Sequence, residues 1–162
     1  MKDVLNDITF DLNEIASIDE AVKLAISLED QGRDFYLENA GSTKNPGAHE
    51  MYQYLADEEK KHTEYLEKFL KDGDTTVEMT GSPDFRGSFS VEFAGDRLEE
   101  VGVMLAALRF ERKSEYFYQE LAKRATDTRQ REFFENIADF ERGHYEIIDS
   151  MLEYATQFRM QT

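Results

Sequence analysis

The 162-residue sequence predicts an all-α fold, a four-helix bundle with one long crossover between the second and third helices. Three features predict it. Four segments place apolar residues alternately three and four apart, the period of one helix face. Two stretches, Glu59-Lys60-Lys61-His62 and Glu141-Arg142-Gly143-His144, share a Glu-x-x-His pattern and lie 82 positions apart. The same shift lays Glu29 on Glu111, Tyr36 on Tyr118 and Asn45 on Asp127, so the chain reads as a duplicated helical pair. The links within each pair are short and require antiparallel neighbours, whereas residues 72–95 are long enough to form a crossover.

Residues 1–16 form an N-terminal extension with scattered apolar positions and no strong period, and no element is assigned to them. Ser17-Ile18-Asp19-Glu20 then reads as a capping box that opens the first helix, expected from Ile18 to Ala40 with Gly41 as a left-handed stop. Its inward line is Val22, Ala25, Glu29, Gly32 and Tyr36. Asn45-Pro46 is a cap followed by a proline whose missing N–H is harmless in a first turn, and it opens the second helix, which runs to about Lys71 before Gly73. That line is Tyr52, Leu55, Glu59, His62, Leu66 and Phe69. The crossover is rich in Gly, Ser, Thr and Asp and is expected as irregular chain with a short extended piece. Asp96-Arg97-Leu98-Glu99 is a second capping box, and the third helix follows to about Ala125 along Met104, Ala107, Glu111, Ser114, Tyr118 and Leu121. Asp127 opens the fourth, along Phe134, Ile137, Glu141, His144, Ile148 and Met151, to near Tyr154.

One domain, residues 1–162, is expected from this length. The 35 acidic against 19 basic residues leave a formal charge of -16, which argues against nucleic-acid and anionic-membrane surfaces, since both require clustered Lys and Arg. With no cysteine there is no disulfide, thiolate zinc site or iron–sulfur centre. The first ten residues lack a signal peptide's apolar core, and the run from Val101 to Leu108 is too short to span a bilayer. A cytoplasmic location is expected.

On each helix a glutamate interrupts an apolar line at matching depth. Four carboxylates facing one another in a core must take up protons or hold cations, because like charges at close range raise one another's pKa. Two divalent ions supply the missing charge, and oxygen ligands with one imidazole per ion suit iron or manganese. Glu59 and Glu141 are expected to bridge. Glu29 and Glu111 are expected as terminal ligands able to shift, with His62 and His144 each on one ion. The small residues Ala25, Gly32, Ala107 and Ser114 are expected to leave room for a carboxylate to swing and for a diatomic molecule. Tyr36 and Tyr118 are expected to direct their hydroxyls toward the cluster. His49, Asp57 and Asp139 are expected to face away from it. A second apolar line, Ala21, Leu24, Leu28 and Phe35 with Val103, Ala106, Phe110, Phe117, Phe133 and Phe140, suggests an interface between copies and a homodimer or larger assembly, with a wide bundle core that absorbs these residues as the alternative.

From about Ile18 to Tyr154 the chain resembles rubrerythrins, within the ferritin-like di-iron superfamily: Glu29, Glu59-x-x-His62, Glu111 and Glu141-x-x-His144 match that ligand pattern. The resemblance implies a di-iron centre that reacts with hydrogen peroxide or dioxygen, with zinc or manganese as substitutes for iron. Two departures stand out. The cysteine-bearing rubredoxin domain of rubrerythrins is absent, so turnover implies an external electron donor such as a rubredoxin-like protein. Ser114 stands where rubrerythrins carry an additional carboxylate, with Glu115 beside it on a poorer azimuth. The leading expectation is a di-iron oxidoreductase that reduces hydrogen peroxide, with Tyr36 and Tyr118 as catalytic groups; the alternatives are a ferroxidase linked to iron storage and a non-enzymatic metal-binding bundle.

Overall fold

The computed structural model describes residues 17–78, 81–90 and 97–160. Its helices are α1 (Ile18–Ser42), α2 (Pro46–Asp72), α3 (Arg97–Arg124) and α4 (Thr128–Met160), with a 3-10 turn at Arg86–Ser88 in the crossover. No helix among the described residues is long and apolar enough to cross a membrane.

The helix starts follow the local chemistry. The Ser17 hydroxyl accepts from the Glu20 N–H, Asn45 Oδ1 accepts from the Gly47 N–H with Pro46 in the first turn, and Asp127 accepts from the N–H groups of Arg129 and Gln130. Asp96 and residues 1–16 lie outside the described residues. Gly73 ends α2 in the left-handed region at φ 72. Gly41 does not stop α1: the helix passes through it to Ser42 and ends where Thr43 turns extended. Likewise α4 continues past Tyr154 to Met160, because nothing in the following residues breaks a helix and Ala155 extends the buried line of Ile148 and Met151 by one turn.

α1 packs along α2 and α3 along α4, and the pairs meet through α1 with α3 and α2 with α4. The apolar lines form two clusters. One gathers Tyr36, Met51, Tyr52, Leu55, Met104, Ala107, Ile148 and Met151; the other gathers Val22, Ala25, Leu66, Phe69, Phe117, Tyr118, Leu121, Phe134 and Ile137. The glutamates and histidines lie between them in sequence on every helix. The second apolar line is used inside the chain: Ala21, Leu28, Val103, Phe110, Phe117, Phe133 and Phe140 are all buried. The wide core takes up the aromatics that suggested an interface, leaving Leu37, Leu105 and Tyr116 as the large exposed hydrophobics among the described residues.

The crossover is pinned along α2 and α4. The Tyr65 hydroxyl accepts from the Glu78 N–H and the Tyr54 hydroxyl donates to the Gly81 carbonyl. At its far end Asn45, already the cap of α2, grips Ser90: Nδ2 donates to the carbonyl at 3.1 Å and Oδ1 accepts from the N–H at 3.3 Å. Phe89 meets Tyr154 of α4 edge-on, with ring centroids 5.9 Å apart. The crossover thus leaves the end of α2 and docks at its beginning, which sets α3 off beside the start of α2. Gly47 permits this close approach, since a Cβ there would stand 2.6 Å from the Phe89 nitrogen and 2.8 Å from its Cα. Gly47→Ala must push this backbone away. A loss of about 1–3 kcal/mol, read as a melting temperature lower by roughly 3–10 °C, is the expected result in a thermal melt; an unchanged midpoint contradicts the docking.

Candidate metal centre

All six predicted ligand residues converge, although they come from four helices. Glu29, Glu59, His62, Glu111, Glu141 and His144 are each at most 3% exposed. Helical spacing does this: Glu59 and His62, like Glu141 and His144, are three apart on one inward face, at the level where α1 presents Glu29 and α3 presents Glu111. Their atoms form two groups, each with one ligand atom per residue and all within 4.8 Å of one another: Glu29, Glu59, His62 and Glu141 in one, Glu59, Glu111, Glu141 and His144 in the other. Glu59 and Glu141 are common to both. His62 Nδ1 lies 3.2 Å from Glu141 Oε1 and 3.5 Å from Glu29 Oε2. His144 Nδ1 lies 3.5 Å from both Glu59 Oε1 and Glu111 Oε2. The two imidazoles stack at 5.3 Å with planes 6° apart.

The tyrosines reach this cluster by crossing it. Tyr36 on α1 donates to Glu111 Oε1 on α3 at 2.6 Å, and Tyr118 on α3 donates to Glu29 Oε1 on α1 at 2.6 Å. Each unshared glutamate therefore has one oxygen tied down. Its other oxygen, Oε2, is buried without a partner, as are both oxygens of Glu59, Oε2 of Glu141, Nε2 of His62 and Nδ1 of His144. Among the described residues only the Tyr52 hydroxyl adds to this set of unpartnered buried side-chain atoms. Such a concentration of unmatched acceptors is what a cation-binding site offers. The buried Glu and His groups fit a metal centre.

The protonation pattern follows from the same geometry. Burial, reinforced by the carboxylates of Glu29 and Glu111, pushes Glu59 and Glu141 well above the usual carboxylate range. Burial also works to raise Glu29, but the adjoining Glu59 carboxyl group, the His62 imidazole and the Tyr118 hydroxyl overcome it and hold Glu29 at about 2. For Glu111 burial is likewise overcome, by His144, Glu141 and Tyr36, and its pKa is lowered. Burial would lower His144, yet the Glu111 charge outweighs it and raises it. Burial and the adjoining carboxylates push both tyrosines well above 10, so they stay phenols at neutral pH. The shared pair, Glu59 and Glu141, is thus the one driven toward the protonated form, and Glu29 and Glu111 toward the ionised form.

A family model described as Rubrerythrin matches residues 20–152. The chain belongs to the rubrerythrin family. A solved structure of a hypothetical protein from Pyrococcus furiosus is similar to this rubrerythrin with a TM-score of 0.69 and 25% identity, covering 90% of this chain and 96% of that one. No curated protein matches it.

Several expectations around the cluster are refined. Asp57, Asp139 and His49 are exposed, as expected, and His49 Nδ1 sits 2.7 Å from the Ala40 carbonyl in the last turn of α1. Ser114 is buried, and Glu115 beside it is turned to two guanidiniums, accepting from Arg112 at 3.1 Å and Arg142 at 3.0 Å. The room expected at Gly32 is filled: a Cβ there would lie 2.7 Å from the Phe110 ring. Sequence reasoning missed Glu58, which is 4% exposed with Oε2 4.0 Å from His144 Nε2, and which groups with His62 and His144. A signal for it exists. Glu58 falls on Phe140 under the 82-residue shift, an apolar residue that marks position 58 as inward-facing.

Because burial and the neighbouring carboxylates push Glu59 and Glu141 upward and a metal requires carboxylates, uptake of a divalent ion is expected to expel protons. The sign is that apparent affinity rises with pH. In a weakly buffered titration of metal-free protein with manganese(II), proton release and tighter binding at about pH 8 than at about pH 6 are expected; affinity independent of pH, with no proton release, contradicts the assignment.

Proposed function

We propose that this rubrerythrin is a non-haem di-iron oxidoreductase that reduces hydrogen peroxide to water. The observation that carries the reading is the pair of ligand groups sharing Glu59 and Glu141, an arrangement that would hold two ions side by side with one histidine and one unshared glutamate each. Zinc or manganese fits the same donors. Iron bound in such a site would supply the two electrons needed to cleave the O–O bond, two iron(II) being oxidised to iron(III), and two protons would complete two waters.

The chain's own residues prepare that chemistry. Tyr36 and Tyr118 hold one oxygen of Glu111 and Glu29, so that each unshared glutamate offers its Oε2 alone. Both phenols retain their protons at neutral pH and stand as proton donors at the edge of the site. The aromatic and aliphatic clusters on either side bury the site, which strengthens each electrostatic contact in it. As the sequence has no cysteine, re-reduction is assigned to an external donor such as a rubredoxin-like protein.

Mixing the ferrous protein anaerobically with peroxide, and separately with dioxygen, tests the reading through the ferric absorbance. Oxidation faster with peroxide, with iron retained over repeated cycles, is expected. Faster oxidation by dioxygen with many irons taken up per chain points to the ferroxidase instead, and no reaction with either points to a binding bundle. Tyr36→Phe and Tyr118→Phe each should slow the peroxide reaction by roughly tenfold or more while both ions are retained.

A further inference from the structure

The two halves of the cluster are not equally closed. Under the 82-residue register the residue facing His62 from α4, Phe140, corresponds to Glu58, which faces His144 from α2. Phe140 lies against the His62 imidazole with centroids 5.4 Å apart and covers it with a ring. Beside His144, a cavity of about 360 Å³ between α2 and α4 is lined by Glu58, His144 and another part of Phe140, and bordered by Ser82 of the crossover and by Gly143, where a Cβ would come within 3.7 Å of Ser82 Oγ. This volume takes a divalent ion with six waters, roughly 180 Å³ at about 30 Å³ per water.

The chemistry of the lining points the same way. Asp139 and Glu146, both exposed, add negative charge where the cavity meets solvent, while the cation beside them, Arg142, is already bound to Glu115. Glu58 is a buried carboxylate whose Oε1 accepts from Lys61 at 3.3 Å and whose Oε2 lies 4.0 Å from His144 Nε2, too far for a hydrogen bond. Lys61 is nearly half exposed and readily displaced, and the separation from His144 leaves space for an ion between the two side chains. A buried carboxylate at the closed end of a negatively lined cavity draws cations inward.

Resting on the reading of the cluster as a metal centre, we propose that this cavity is the inlet by which divalent cations reach it, and that Glu58 captures them before transfer to the group containing His144. Glu58 then acts on the arrival of the ion and is not a ligand of the loaded centre. Its neighbour Lys61 competes with the incoming ion, so passage is selective for cations that bind a carboxylate more strongly than an ammonium does.

Stopped-flow loading of metal-free protein with cobalt(II), followed by the ligand-field absorbance of the bound ion, tests this together with the metal content at equilibrium. Glu58→Gln should load at least roughly tenfold more slowly and reach the wild-type content. Gly143→Met, which narrows the same cavity without touching Glu58, should also load slowly, whereas Glu67→Gln, an exposed carboxylate of α2 away from the cavity, should load at the wild-type rate. Wild-type loading rates in both cavity variants overturn the inlet while leaving the metal centre intact. A lowered equilibrium content in Glu58→Gln overturns it in favour of a ligand or positioning role. A wild-type protein that takes up no cobalt overturns both readings.

Discussion

Four carboxyl groups and two imidazoles share a core in which none is more than 3% exposed, and every other feature of the bundle has to accommodate that fact. A single ionised carboxylate in such a place is unfavourable by several kcal/mol, and four close together cannot all be ionised without positive charge among them. The chain divides them: Glu59 and Glu141 are driven toward keeping protons, while the histidines and tyrosines hold Glu29 and Glu111 toward the ionised form. Two divalent ions would replace those protons and meet the buried oxygen atoms that have no partner.

The rest of the fold can be read as support for this cluster. Apolar lines continue past it on each helix into two packed ends, so that the polar layer is held at fixed depth by hydrophobic contacts and not by its own weak net attractions. The crossed bonds from Tyr36 and Tyr118 tie α1 to α3 at the level of the site, where the helix pairs meet. Phe110 fills the groove left at Gly32, and the crossover, clamped by Asn45 and Phe89, closes the outer side of α2 and α4. Among the described residues a cavity reaches His144 between α2 and α4, while the Phe140 ring lies against His62.

What the sequence revealed is what recurs with a period. The helix count, the antiparallel pairs and the convergence of Glu29, Glu59, His62, Glu111, Glu141 and His144 follow from spacing and from the 82-residue register, because in a helix separation in sequence is separation in angle. Features that depend on tertiary neighbours were not legible. Gly41 has the chemistry of a stop, but a glycine ends a helix only where the chain must turn into the left-handed region. The second apolar line could serve an interface or a wide core, and sequence does not report how wide the core is; most of it is buried within the chain. Gly32 resembled free space because the ring that enters it comes from another helix, and Tyr36 and Tyr118 could be placed at the right height but not on the opposite glutamate. Glu58 sits in the charged run 57–61, where only its alignment with Phe140 in the 82-residue register sets it apart from its solvated neighbours.

The central claim is that the six residues hold two ions with Glu59 and Glu141 between them. Anomalous diffraction from crystals of the protein loaded with manganese(II) addresses it directly. The account predicts two peaks per chain, about 3.5–4 Å apart, one beside Glu29 and His62 and the other beside Glu111 and His144, with both shared glutamates in contact with each. A single peak in the cluster, or occupancy confined to surface carboxylates, would contradict it.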